Sequence, residues 1–208
     1  MADDWTPPAG DLMKGKRGIV MGVANQNSIA WGIARQLAAQ GAEIAFTYQG
    51  DSLERRVRPL VESIGMDTMI PADVTDDASM DAAFDTIKDK WGKIDFLVHS
   101  IAFAGKDERT VPSYNVMGVA KAALEAATRY AARDLGPQGI RVNAISAGAM
   151  RTLSLAGIRG GKSLMGTGRD WSLLKEDTRM EGVAGAALYL LSELGHSVAG
   201  EVHHVDAG

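Results

Sequence analysis

The chain has 208 residues, of which 46% are hydrophobic and 23% charged, with a net charge of -4 and no cysteine. That length suffices for one sizeable core, that composition argues against extended disorder, and the missing cysteines exclude disulfides and thiolate metal sites. There is no Lys/Arg stripe to attract nucleic acid or an anionic membrane, no apolar run near the roughly 18 residues of a membrane span, and no apolar stretch in Met1–Asp11 to make a signal peptide. The expectation is one cytoplasmic domain that binds neither nucleic acid, membrane nor metal.

In chain order, Gly18–Met21 reads as a short strand, followed by the glycine-bearing turn Gly22 to Gly32 and a helix with Ile29, Ile33 and Leu37 on one face. Asn27 or Ser28 is placed to cap that helix and Gly41 to stop it. Glu43–Tyr48 is a second strand, so the opening is a βαβ unit, which crosses over right-handed and makes a parallel sheet. Ser52 opens the next helix, whose buried face is Leu53, Val57, Leu60, Val61 and Ile64; Thr68–Ile70 is the third strand. A loop at Asp73–Asp76 leads into a helix over Ala78–Trp91, with Met80, Phe84, Ile87 and Trp91 inward, and then the strand Asp95–His99. Four strands with three intervening helices are half of a doubly wound α/β sheet, a Rossmann fold.

A short polar bridge, Gly105 to Thr110, precedes Ser113–Lys121, where a phenol and an ammonium stand seven positions apart. On a helix that spacing places Tyr114 and Lys121 on one face, about 10 Å apart along the axis. The helix continues to Leu135, Gly136 and Pro137 end it, and Arg141–Ser146 is the next strand. The segment Leu153–Glu176 holds several glycines and little periodicity, and reads as mobile with short helices. Thr178 and Glu181 fit a capping box for a helix over Arg179–Ser192, with Val183, Ala187, Leu190 and Leu191 inward; Glu201–Val205 is the last strand.

Three places carry chemistry in the first half. The turn at Gly22 lacks the Gly-x-Gly-x-x-Gly spacing, so it is either a tight strand-to-helix connection or a pyrophosphate cradle in which the helix dipole and the Ser28 hydroxyl face the anion. At the end of the second strand, where a dinucleotide enzyme reads the adenosine ribose, the chain offers Gln49 and Gly50 and no arginine. That favours NADH, since an amide bonds a hydroxyl while an arginine would pair a phosphate. Arg55 and Arg56, a turn later, read as a solvated helix face. Asp73 can accept from an adenine amine and Val74 can cover a ring face.

With these pieces placed, the chain resembles the short-chain dehydrogenase/reductase superfamily, and within it the bacterial NADH-dependent enoyl-acyl-carrier-protein reductases of type II fatty acid synthesis. The resemblance rests on residues 22 to 32, Thr47-Tyr48-Gln49, His99-Ser-Ile-Ala-Phe-Ala104, Pro112 to Lys121, Arg141 to Gly148 and Val205-Asp-Ala-Gly208. The most discriminating mark is the Tyr-x6-Lys spacing, because ordinary members of the superfamily use Tyr-x3-Lys and position 118 here is Gly. The resemblance implies that Gly22, Ser28, Ile29, Gln49, Asp73, Val74, Ile101, Lys121, Met150, Arg151, Thr152, Leu153 and Ser154 contact NADH. It also implies that Ala104 lines the acyl site, that Tyr114 faces the substrate carbonyl and Lys121 the nicotinamide ribose, and that residues 153–176 are a substrate-binding segment, the substrate being an enoyl-acyl-carrier-protein. The implied assembly is a homotetramer. Tyr114 and Lys121 are the implied catalytic pair.

Two departures stand against the family pattern. Ala149 occupies a position that is usually Pro, and between Ala104 and Thr110 a family helix and strand are absent. Either residues of the natural molecule are missing from the sequence, which the intact flanking motifs favour, or the chain is a shortened variant. Two other functions compete: a dehydrogenase acting on a ketone or alcohol, for which a Tyr-x3-Lys pair is not found, and a non-catalytic dinucleotide-binding module.

Overall fold

The computed structural model describes residues 5–101, 115–152 and 168–208. The chain divides into two compact units, Met1–Ala102 and Phe103–Gly208.

In the first unit, β1 (Arg17–Met21), α1 (Ile29–Ala39), β2 (Glu43–Tyr48), α2 (Asp51–Ser63), β3 (Met69–Pro71), α3 (Asp77–Trp91) and β4 (Phe96–His99) follow one another. The strands form a parallel sheet in the order β3-β2-β1-β4. Gly18 lies opposite Ile44 on β2 and Phe96 on β4, so β1 is flanked by partners on both sides. The apolar runs of β1 and β2 are buried almost without alternation, as a parallel sheet covered by helices requires: Val20, Ala45 and Phe46 are fully buried. Ile19, Met21, Ala45 and Ile70 pack with Ala83 and Ile87 of α3. Leu37 of α1 and Val57 and Val61 of α2 are likewise buried.

The second unit holds α4 (Asn115–Leu135), β5 (Ala144–Ala147), α5 (Met180–Leu191) and β6 (Val202–Val205). β5 pairs parallel with β6, with Ala144 opposite Val202. Val183, Ala184, Ala187 and Leu190 form the buried stripe of α5. The C-terminal residues return to the chain at 173–174, where the Leu173 amide donates to the Gly208 carbonyl and the Leu174 amide to that of Ala207.

Three local expectations are corrected. Phe84 is 41% exposed rather than inward, because Ala83 and Ile87 occupy the buried stripe of α3. The capping box does not form: the N-cap of α5 is Arg179, with no side-chain cap, and among the described residues Glu181 Oε2 is buried without a hydrogen-bond partner. The Thr178 hydroxyl lies instead where a Cβ on Gly148 would be. Ser28 is the N-cap of α1 by position, yet its side chain does not cap the helix. Among the described residues no helix is long and apolar enough to cross a membrane.

Candidate active site

The C-terminal ends of parallel strands share one edge, and in the first unit that edge collects most of the polar groups singled out in the sequence. Gly22 follows β1 with φ of +100°, and a Cβ there would run into the Ser100 carbonyl beyond β4. The glycine is therefore required by backbone geometry alone. Its consequence is that the turn between β1 and α1 begins without a side chain at Gly22, where a phosphate group can approach the backbone closely.

Ser28 explains how that turn is held. Its Oγ accepts from the Ala24 amide at 3.0 Å and the Asn25 amide at 3.1 Å, which folds the hydroxyl back over the turn instead of onto the helix. With no capping side chain, the positive N-terminal end of α1 is presented to whatever lies in front of it.

Gln49 and Asp73 meet across the ends of β2 and β3: Gln49 Nε2 donates to Asp73 Oδ2 at 2.7 Å. The other carboxylate oxygen, Oδ1, accepts from the Thr75 amide at 2.9 Å and the Thr75 hydroxyl at 2.7 Å, an Asx-turn. The Asp73 amide in turn donates to Ser79 Oγ at 3.0 Å. These bonds, those from the Thr75 amide and hydroxyl before that from Gln49, hold the Asp73 carboxyl below the usual aspartate range. Thr75 and Ser79 are supporting residues that motif reading passed over; the Asp-x-Thr spacing was the available signal.

Around this pair, Val74 is 43% exposed and free to lie against a ring, and Arg55 and Arg56 are exposed on α2 as expected. Arg58 pairs instead with Glu54, whose carboxyl it holds low. Ile101, expected to touch the cofactor, packs against the core cluster of Met21 and Ile70.

The second unit carries the remaining groups. Lys121 is exposed on α4, while Met150, Arg151 and Thr152 follow β5, with Met150 buried and Arg151 exposed. The Thr152 amide donates to the Met150 carbonyl at 2.8 Å, a tight turn at the strand exit. Beyond residues 153–167, Arg169 makes a two-pronged ion pair with Asp177, Nε to Oδ1 at 3.1 Å and Nη2 to Oδ2 at 2.6 Å. Tyr114, Ala104, Leu153 and Ser154 lie outside the described residues, as do the bridge after Ala104 and most of the segment expected to be mobile.

The first unit's residues fit a dinucleotide on their own chemistry. A turn that starts on a glycine leads into a helix N-terminus with no side-chain cap, and a polar pair at two strand ends stands beside an exposed apolar side chain. Phosphate, ribose hydroxyl and base are the three surfaces such a set can meet.

Comparison with known proteins bears on the same residues. The family model described as enoyl-(acyl carrier protein) reductase matches residues 22–110 and 106–208, two runs that meet in the short bridge. Enoyl-(acyl-carrier-protein) reductase (NADH) 2 of Rhizobium meliloti is 45% identical over 247 residues, covering 95% of this chain and 92% of the relative. That alignment is longer than the chain itself, so the relative holds residues with no counterpart here. The crystal structure of the Anaplasma phagocytophilum reductase in complex with NAD superposes with a TM-score of 0.91 at 40% identity, covering 97% of this chain and 96% of that one. The Bacillus cereus enoyl-acyl carrier protein reductase, solved with NADP+ and indole naphthyridinone, reaches 0.90 at 40% identity over 95% and 97%. Identity at this level across both runs, on a sheet whose glycine turn and strand-end pair already suit a dinucleotide, makes this chain a member of the enoyl-(acyl carrier protein) reductase family.

Proposed function

We infer that the chain is an NADH-dependent enoyl-acyl-carrier-protein reductase, which saturates the 2,3 double bond of an enoyl thioester in type II fatty acid synthesis. The observation that carries this is the polar strand edge of Gly22, Ser28, Gln49 and Asp73 in a chain 45% identical to an enzyme named for NADH. In this reading Gly22, Ser28 and Ile29 take the pyrophosphate, Gln49 a ribose hydroxyl, and Asp73 and Val74 the adenine. Ile101, Lys121 and Met150 to Ser154 line the nicotinamide half.

When bound, NADH supplies a hydride to the β-carbon of the substrate. The chain's own residues handle the charge that this pushes onto the thioester oxygen. Tyr114 donates its phenol O–H to that oxygen, stabilising negative charge where it develops. Lys121 strengthens the phenol as a donor by its nearby positive charge and anchors the ribose through its ammonium. Ala104 and residues 153–176 line the acyl side and keep water out. The reading includes a single dinucleotide-binding domain, a cytoplasmic location and a homotetramer.

The bridge after Ala104 belongs to the same proposal. The two-run family match and the alignment longer than the chain support a family helix and strand missing between Ala104 and Thr110, either from the sequence or from the molecule itself. If the molecule itself lacks that segment, the second reading is a dinucleotide-binding module without turnover. Purified protein with a crotonyl thioester is expected to consume NADH, read as falling near-ultraviolet absorbance. Full NADH binding without consumption, in a protein of intact mass 22.0 kDa, would sink the reductase in favour of the module.

A further inference from the structure

A side-chain amide has two ends of opposite character, and which end faces a ligand decides what it can recognise. At Gln49 a neighbour settles the question. The Asp73 carboxylate only accepts hydrogen bonds, so the 2.7 Å contact commits one N–H of the Gln49 amide to Asp73 and sets which end of the amide is the nitrogen, leaving the amide oxygen to accept from a ligand. Asp73 is itself fixed, because the amide and hydroxyl of Thr75 take Oδ1 and turn Oδ2 toward Gln49. An outward amide oxygen accepts from a hydroxyl. It finds no donor on a phosphate dianion and repels it.

The charges nearby act in the same direction. Asp51 and Glu54 stand in the first turn of α2, directly after Gln49 and Gly50, and Arg58 is engaged with Glu54. Arg55 and Arg56 are exposed on the same helix and are the cations that would have to turn toward a phosphate. Similar enzymes have been solved with NAD in one case and NADP+ in another, so membership of the fold does not settle the choice.

We propose that Asp73 is a positioning residue for cofactor choice: by holding the Gln49 amide nitrogen, it presents the amide oxygen to the adenosine 2′-hydroxyl and excludes a 2′-phosphate. The proposal rests on the reading of this edge as the NADH site. It adds a role for Asp73 that acts through Gln49, separate from any contact of its own with the base.

The test is equilibrium binding of NADH and NADPH to the full chain, followed by fluorescence and checked by calorimetry, in a double-mutant cycle. Asp73→Asn keeps shape but lets Gln49 turn either end outward and removes one negative charge. It is expected to shift the ratio of NADPH to NADH dissociation constants by about tenfold toward NADPH, the scale of one hydrogen bond gained or lost. In a Gln49→Ala background the same substitution is expected to shift that ratio by less than about threefold, since the group through which it acts is gone. Circular dichroism of each variant confirms folding, and a cofactor ratio is not moved by a merely structural role. An unchanged ratio in Asp73→Asn, or an equal shift in both backgrounds, overturns the proposal while leaving the NADH site intact. Failure of the parent protein to bind either dinucleotide overturns the site and the proposal together.

Discussion

Gln49, Asp73 and Thr75 show how a single acceptor-only group organises its neighbours. Asp73 titrates below the ordinary aspartate range, so whatever its bonds contribute is present above the unfolded carboxyl value and lost as the pH falls through the depressed folded one. Removing one of the causes tests that order: in Thr75→Val the hydroxyl donor is gone, the amide donor stays, and the Asp73 carboxyl is expected to titrate closer to its ordinary value. A carbon-13 titration of the side-chain carboxyl measures it, and an unmoved midpoint would refute the assignment. Tyr114 and Lys121 make a complementary prediction. Tyr114→Phe is expected to lower turnover about 10²-fold or more with little change in NADH affinity, as for loss of an oxyanion donor. Lys121→Ala is expected to weaken NADH binding itself, and steady-state kinetics beside equilibrium binding separates the two.

Among the elements, β2 has the most to lose from a cavity. Phe46 is fully buried and its ring lies 6.4 Å from that of Trp31 on α1, in a tilted arrangement that joins helix to sheet. Phe46→Ala removes a large side chain from a packed interior, and about 3–5 kcal/mol of unfolding free energy is expected to go with it, measured by urea denaturation. A loss under about 1 kcal/mol would mean the site refills or is not buried as described. Element types were legible here because the apolar runs of β1, β2 and β4 are short and bounded by glycine or charge. Helix ends were less so. The capping box at Thr178 and Glu181 satisfies a local pattern, yet in the structure the Thr178 hydroxyl is held against Gly148 on a residue far away in sequence. Phe84 has the spacing of an inward residue and is exposed, because the smaller Ala83 and Ile87 meet β1 and β3.

At the scale of the molecule, the two units carry different parts of the proposed chemistry: Gly22, Ser28, Gln49 and Asp73 in one, Lys121 and Met150 to Thr152 in the other. α4 keeps Val119, Leu124 and Tyr130 exposed, at 71%, 49% and 68%. A homotetramer is part of the proposed reading. Native mass spectrometry is expected to give four copies of the 22.0 kDa chain, and a monomer at micromolar concentration would refute the assembly.

The amino-acid sequence by itself determined the α/β class, the strand and helix order of the nucleotide half and the family, because periodicity, glycine stops and the Tyr-x6-Lys spacing are properties of neighbours along the chain. It also placed Gly22, Ser28, Gln49 and Asp73 at strand and helix ends, one at a time. Only the tertiary structure decided what joins them. Gly22 must lack a Cβ because the Ser100 carbonyl, just past the end of a strand far along the chain, fills the space. The Gln49 amide is held by its nitrogen because Asp73, just beyond the end of a different strand, accepts from it. Both are contacts across the sheet, and a hydrogen bond between strand ends has no spacing in sequence by which to be read.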